Sequence, residues 1–155
     1  MISYVVGDAT QPRIGGTRVI CHVCNDRGAW GRGFVLAVSR RWPVAERVYR
    51  TKRPPLGCVQ LIEVESEADI IVANMIAQEG FASSDRPCAL NYHALERCLE
   101  TLSYMAVAGW SFHMPRIGCG LAGGDWASVA MLIEHWLGAF PVTVYDLEDP
   151  KCALH

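Results

Sequence analysis

Two stretches of this sequence combine glycines with a carboxylate, a pairing suited to holding an anion by backbone amides while a side chain moves a proton. The first is Asn25-Asp26-Arg27-Gly28-Ala29-Trp30-Gly31-Arg32-Gly33. The second runs from Pro115-Arg116-Ile117-Gly118-Cys119-Gly120 through Leu121-Ala122-Gly123-Gly124-Asp125-Trp126. Glycine lets the backbone approach an anion closely and adopt positive φ. A helix opening just after such a loop adds unpaired N–H groups and the positive end of its dipole. Gly118, Cys119, Gly120, Leu121, Ala122 and Gly123 therefore form a candidate phosphate nest. Each hydrogen bond to a charged oxygen contributes about 1.5–3 kcal/mol, so several hold a diphosphate without a lysine. No Gly-Lys-Ser/Thr follows, which excludes a Walker A loop. Taken alone, the second stretch also fits a plain strand-to-helix crossover with Asp125 as N-cap. Asp26 has two readings as well, a turn residue or a general base.

These loops need strands to leave from and helices to lead into. Ile2–Val6 and Arg18–Val23 read as strands, and Asn25–Gly33 as the loop after the second. Phe34–Arg53 reads as helix interrupted at Pro43. Val59–Val64 and Ile70–Ile76 flank an acidic turn and predict an antiparallel hairpin. Tyr92–Ala108 carries Leu95, Leu99 and Leu102 at helical spacing, with Gly109 as terminator. Trp110–Met114 is a strand, Trp126–Leu137 a helix and Val142–Leu147 the last strand. The alternation predicts an α/β fold of three layers, α/β/α, with a mixed central sheet.

The 155 residues suit a single domain, 1–155. A net charge of -2 argues against a nucleic-acid-binding surface. The arginines between Arg27 and Arg53 are read as a solvated helix face or as steering for a phosphorylated ligand. Seven cysteines, an odd number, argue against a secreted disulfide framework. Cys21-His22-Val23-Cys24 lacks a second ligand pair for zinc and lies inside a strand pattern, so no metal site is expected. No stretch reads as a membrane span or signal segment. The expectation is a cytoplasmic monomer without a cofactor.

Gly7-Asp8-Ala9 after the first strand and His22-Val23-Cys24-Asn25 before the first glycine loop carry a resemblance. So do Pro115-Arg116-Ile117-Gly118-Cys119-Gly120-Leu121 and Val144-Tyr145-Asp146-Leu147. Together they resemble a macro domain. The nearest branch holds the terminal ADP-ribose protein glycohydrolase and the ADP-ribose-1″-phosphate phosphatases. The resemblance implies ADP-ribose as ligand and ADP-ribosylated proteins as partners, with nucleic acid only as an ADP-ribosylated substrate. By position, Asp8 would meet the adenine amino group, with Ala9 and Tyr145 nearby. Asn25, Gly31 and Gly33 would flank the distal ribose and diphosphate, and Asn74 would reach the cleft. The glycohydrolase's catalytic lysine is replaced, the matching position being assigned to Met75. The implied activity is therefore hydrolysis of ADP-ribosyl esters of glutamate or aspartate by water, with Asp26 and Asp125 as catalytic carboxylates. A non-catalytic ADP-ribose reader and an ADP-ribose-1″-phosphate phosphatase are the alternatives.

Overall fold

The computed structural model describes residues 1–147; the expected domain's last eight positions lie outside them. Its elements are β1 (Ile2–Val6), β2 (Thr17–Asn25), α1 (Phe34–Arg41), α2 (Pro43–Lys52) and β3 (Val59–Glu65). They continue as β4 (Ile70–Gln78), α3 (Tyr92–Met105), β5 (Trp110–Met114), α4 (Trp126–Leu137) and β6 (Val142–Asp146). The strands form one sheet in the order β1-β6-β5-β2-β4-β3. β3 is antiparallel to β4, and every other pairing is parallel. The five parallel strands thus deliver their carboxyl ends, and the loops that follow, to one edge of the sheet.

Buried β-branched and sulfur-bearing residues build this sheet because both of its faces are covered. β2 shows the consequence. Cys21 packs with Met75, Leu95 and Ile133 on the α3/α4 side. Cys24 packs with Trp30, Val38 and Tyr49 on the α1/α2 side. A three-residue spacing in a strand places the two thiols on opposite faces, where they cannot share one ion.

The helical interruption falls where Pro43 requires it. Trp42, the residue before proline, is extended at φ -133° and ψ 79°, and α2 starts at Pro43. α3 opens on Asn91, whose side chain accepts from the Ala94 amide at 2.9 Å. Its end differs from expectation. The helix stops at Met105 with Ala106 extended, and Gly109, at φ 93°, serves the turn into β5.

Candidate functional site

A cleft of about 650 Å³ opens at the edge where β2, β4 and β5 end. Its first wall is the turn from Pro115 to Ala122, leaving β5. Its second wall is the loop from Ala29 into the first turn of α1. Gln78, Phe81 and Ala82 close the end beyond β4, and Arg116 stands at the end toward β6.

The first wall is a turn braced by its own backbone. The Cys119, Gly123 and Gly124 amides bond the carbonyls of Arg116, Gly120 and Gly118. Ala122 O accepts from the Ala89 and Leu90 amides. Three glycines are needed for this packing rather than for a ligand. A Cβ on Gly123 would meet the Pro87 carbonyl oxygen, one on Gly124 the Gly118 oxygen, and one on Gly118 the Leu90 side chain. Gly118 and Gly123 also lie at φ 71° and 75°. Gly120 is different, because nothing stands within 4 Å of its absent Cβ. The Gly118, Gly120, Leu121 and Ala122 amides donate to no protein group among the described residues.

The second wall is braced by a side chain. Asn25 Oδ1 accepts from the Arg27 and Ala29 amides at 2.9 and 3.1 Å, and its Nδ2 donates to Ala29 O at 2.7 Å. The Tyr49 hydroxyl donates to the Asn25 carbonyl at 2.5 Å. Past this clamp the chain enters α1 through Gly33 at φ 78°, with no side-chain cap and no acidic residue in the first turn. The amides from Gly31 to Val35 have no acceptor among the described residues. An open helix N-terminus thus faces an amide-rich turn across the cleft, an arrangement that attracts an anion with two negative groups. Leu121 bridges the walls, its Cδ1 lying 3.5 Å from where a Gly33 Cβ would stand.

Among the described residues, four ionisable side chains border the cleft: His22, Cys24, Arg32 and Arg116. Burial lowers the His22 pKa to about 4 although its hydrogen bond to Asn74 opposes the shift, so the ring is neutral at pH 7. Its Nε2 contacts Asn74 Oδ1 at 2.5 Å, and Trp30 and Phe34 pack edge-on against it. Burial likewise pushes the Cys24 thiol up, which removes it as a nucleophile. Arg116 is held by Asp146 through Nε–Oδ1 at 2.8 Å and Nη2–Oδ2 at 3.0 Å.

The expected ligand-binding positions divide. Asn25, Gly31, Gly33, Gly118, Gly120, Leu121 and Ala122 border the cleft, Asn25 as the clamp of its loop. Cys119 and Gly123 lie in the first wall but do not border it. Burial pushes the Cys119 thiol up to about 11. Asp8, Ala9 and Tyr145 sit beyond Arg116, at the ends of β1 and β6. Asp8 Oδ1 accepts from Thr10 N and Oγ1, both at 2.8 Å. Tyr145 is buried, with its hydroxyl 2.7 Å from His113 Nδ1.

Three expectations are corrected. Asn74 is fully buried beneath α2, donating to Ala45 O and Gln60 Oε1 at 3.1 Å each, and does not reach the cleft. Met75 lies in the core on the α3/α4 side, and the β4 residue that borders the cleft is Gln78. Neither expected catalytic carboxylate borders the cleft. Asp26 Oδ1 accepts from the Gly80 amide at 2.9 Å and so ties down the loop after β4. Asp125 caps α4, its Oδ2 accepting from Ser128 N and Oγ at 3.1 and 2.8 Å. Trp30 is core, packed on Tyr49, whereas Phe34 does border the cleft. Sequence reasoning missed Arg116 and Phe81 as cleft residues. Arg116 was inside the quoted motif, but nothing in its spacing distinguishes it from a solvated arginine.

No protein-family model matches the sequence. A macrodomain protein from Streptomyces coelicolor is 45% identical over 94% of this chain and 99% of its own, with a TM-score of 0.81. A Bacteroides thetaiotaomicron protein is 43% identical over 95% and 98%, with a TM-score of 0.87. The ADP-ribose 1″-phosphate phosphatase of Saccharomyces cerevisiae is 25% identical, covering 94% of this chain and 98% of the yeast protein.

Proposed function

This chain belongs to the macrodomain family, and from that premise we propose that it binds ADP-ribose and hydrolyses ADP-ribosyl esters at the distal ribose. The observation that carries the binding is the pair of facing amide sets, from Gly118 to Ala122 and from Gly31 to Val35. The diphosphate lies between them. The base points past Arg116 toward the ends of β6 and β1, where Asp8 Oδ2 has no protein partner among the described residues. The distal ribose lies by Gln78, Phe81 and Arg32.

The proposed chemistry uses water. An ester of a glutamate or aspartate side chain leaves as a carboxylate, which ionises near pH 4 and needs no general acid. The water is held between the ligand's diphosphate and Gln78; its oxygen bonds the ribose carbon as the carbon–carboxylate bond breaks, and its proton passes through the diphosphate to solvent. Gln78 Nε2 donates to Gly80 O at 2.9 Å, which leaves Oε1, without a partner among the described residues, as the available acceptor. Asp26 contributes by fixing Gly80 and hence this end of the cleft.

A second reading, a non-catalytic reader of ADP-ribose, draws support from the cleft's having no bordering carboxylate or lysine among the described residues. Calorimetry with ADP-ribose, followed by release assays on a glutamate-ADP-ribosylated protein and on ADP-ribose-1″-phosphate, separates the readings. Release of ADP-ribose supports the hydrolase. Binding with no turnover of either substrate leaves the reader. Phosphate release alone identifies the phosphatase.

A further inference from the structure

Arg116 is an exposed-edge arginine held by more groups than an ordinary surface ion pair needs. Its Nε and Nη2 are both taken by Asp146 at the end of β6. Its Cζ lies 5.3 Å from the ring of Tyr4 on β1 and 5.3 Å from that of Trp126 at the start of α4. Those rings are 6.3 Å apart and joined by Trp126 Nε1 donating to the Tyr4 hydroxyl at 3.1 Å. Four elements, β1, β5, β6 and α4, therefore fix one planar cation. The carboxylate takes the Nε/Nη2 edge, and the two rings pack beside the group. Arg116 borders the cleft, and its Nη1 has no protein partner among the described residues. A fixed guanidinium plane is a stacking surface for a flat, electron-rich ring, and its strength grows with ring area.

Resting on the ADP-ribose reading above, we propose that Arg116 is the residue that selects a purine at the base end of the cleft, the base stacking on its guanidinium. Asp146, Tyr4 and Trp126 act as positioning residues for that plane. Arg116 sits on the β6 side of the first wall, so a base stacked there continues from the diphosphate toward Asp8. The charge is already answered by Asp146, so Arg116 serves the base as a surface rather than the phosphates as a counter-ion.

The test is calorimetric titration of wild type, Arg116→Lys and Asp146→Asn with ADP and with UDP. Lysine keeps the charge and loses the plane. Asparagine keeps the shape and releases the brace. Wild type is expected to bind ADP about tenfold more tightly than UDP, and Arg116→Lys to bring that ratio close to one by weakening ADP. Asp146→Asn is expected to lower the ratio by a smaller factor with the melting temperature nearly unchanged. An unchanged ratio in Arg116→Lys overturns the proposal, as does an equal loss for ADP and UDP, which would place Arg116 on the phosphates. Should Arg116→Lys fail to fold, the Asp146→Asn ratio decides alone. A wild type giving no heat with ADP-ribose sinks the ADP-ribose reading itself. A wild type that binds normally beside an unaffected Arg116→Lys sinks only the role of Arg116.

Discussion

The two walls of the cleft reach one outcome by opposite means. The wall from Gly118 to Gly124 is braced by backbone against backbone, and Gly123 and Gly124 are there because a Cβ would strike neighbouring carbonyls. The wall from Asn25 to Val35 is braced by side chains, Asn25 from within and Tyr49 and Arg50 from α2, and ends in an uncapped helix. Both leave a run of amides facing the cleft. A glycine in such a loop therefore has two distinct uses, and only the space around its missing Cβ separates them. Gly123 belongs to the turn, whereas Gly120 and Gly31 border the cleft with open space where a Cβ would stand.

The contrast predicts a graded series. Gly123→Ala places a methyl against the Pro87 oxygen at φ 75°, where L residues are strained. It should cost more than about 3 kcal/mol by chemical denaturation, with ADP-ribose binding lost alongside. Acid should act on the second wall. The His22 pKa falls from 6.5 to about 4 on folding, and that of His113 does the same, chiefly through burial. The folded state then takes up fewer protons than the unfolded chain between those values. Stability is accordingly full above about pH 6.5 and falls toward pH 4, by on the order of 2 kcal/mol per histidine at pH 5. Thermal melts of wild type and His22→Asn across pH 7 to 5 check this, since the variant should lose the His22 share of the slope. Asn25→Ala removes the clamp and should cost about 2 kcal/mol, again by denaturation, with weaker ADP-ribose binding. Gly120→Ala closes the series. It should move stability by less than about 0.5 kcal/mol yet weaken ADP-ribose several-fold in calorimetry, because its methyl enters the cleft.

The fold was legible because its signals are local. Periodicity marked each strand and the long helices, Pro43 marked the break between α1 and α2, and the acidic turn marked the β3–β4 hairpin. The helix end at Met105 was misplaced because Ala106 simply turns extended, while Gly109 looked like a better stop. The walls were legible as glycine loops after strands. The chemistry was not. Asp26 and Asp125 have the right residue type at the right place in the chain, but an amide at Gly80 and a helix end claim them. Asn74 and Gln78 lie four residues apart on one strand, and only the depth of the sheet edge decides that the second borders the cleft. Phe81 follows a glycine in a stretch without apolar pattern, so its place at the mouth depends on the Asp26–Gly80 tie.

Isothermal titration of the intact chain with ADP-ribose, run beside Gly120→Ala, bears most directly on the claim that the two amide walls hold a diphosphate. The account predicts saturable one-to-one binding by the wild type, and a several-fold weaker Kd for the variant at an unchanged melting temperature. Absence of heat in the wild type, or equal affinity in the two proteins, would contradict it.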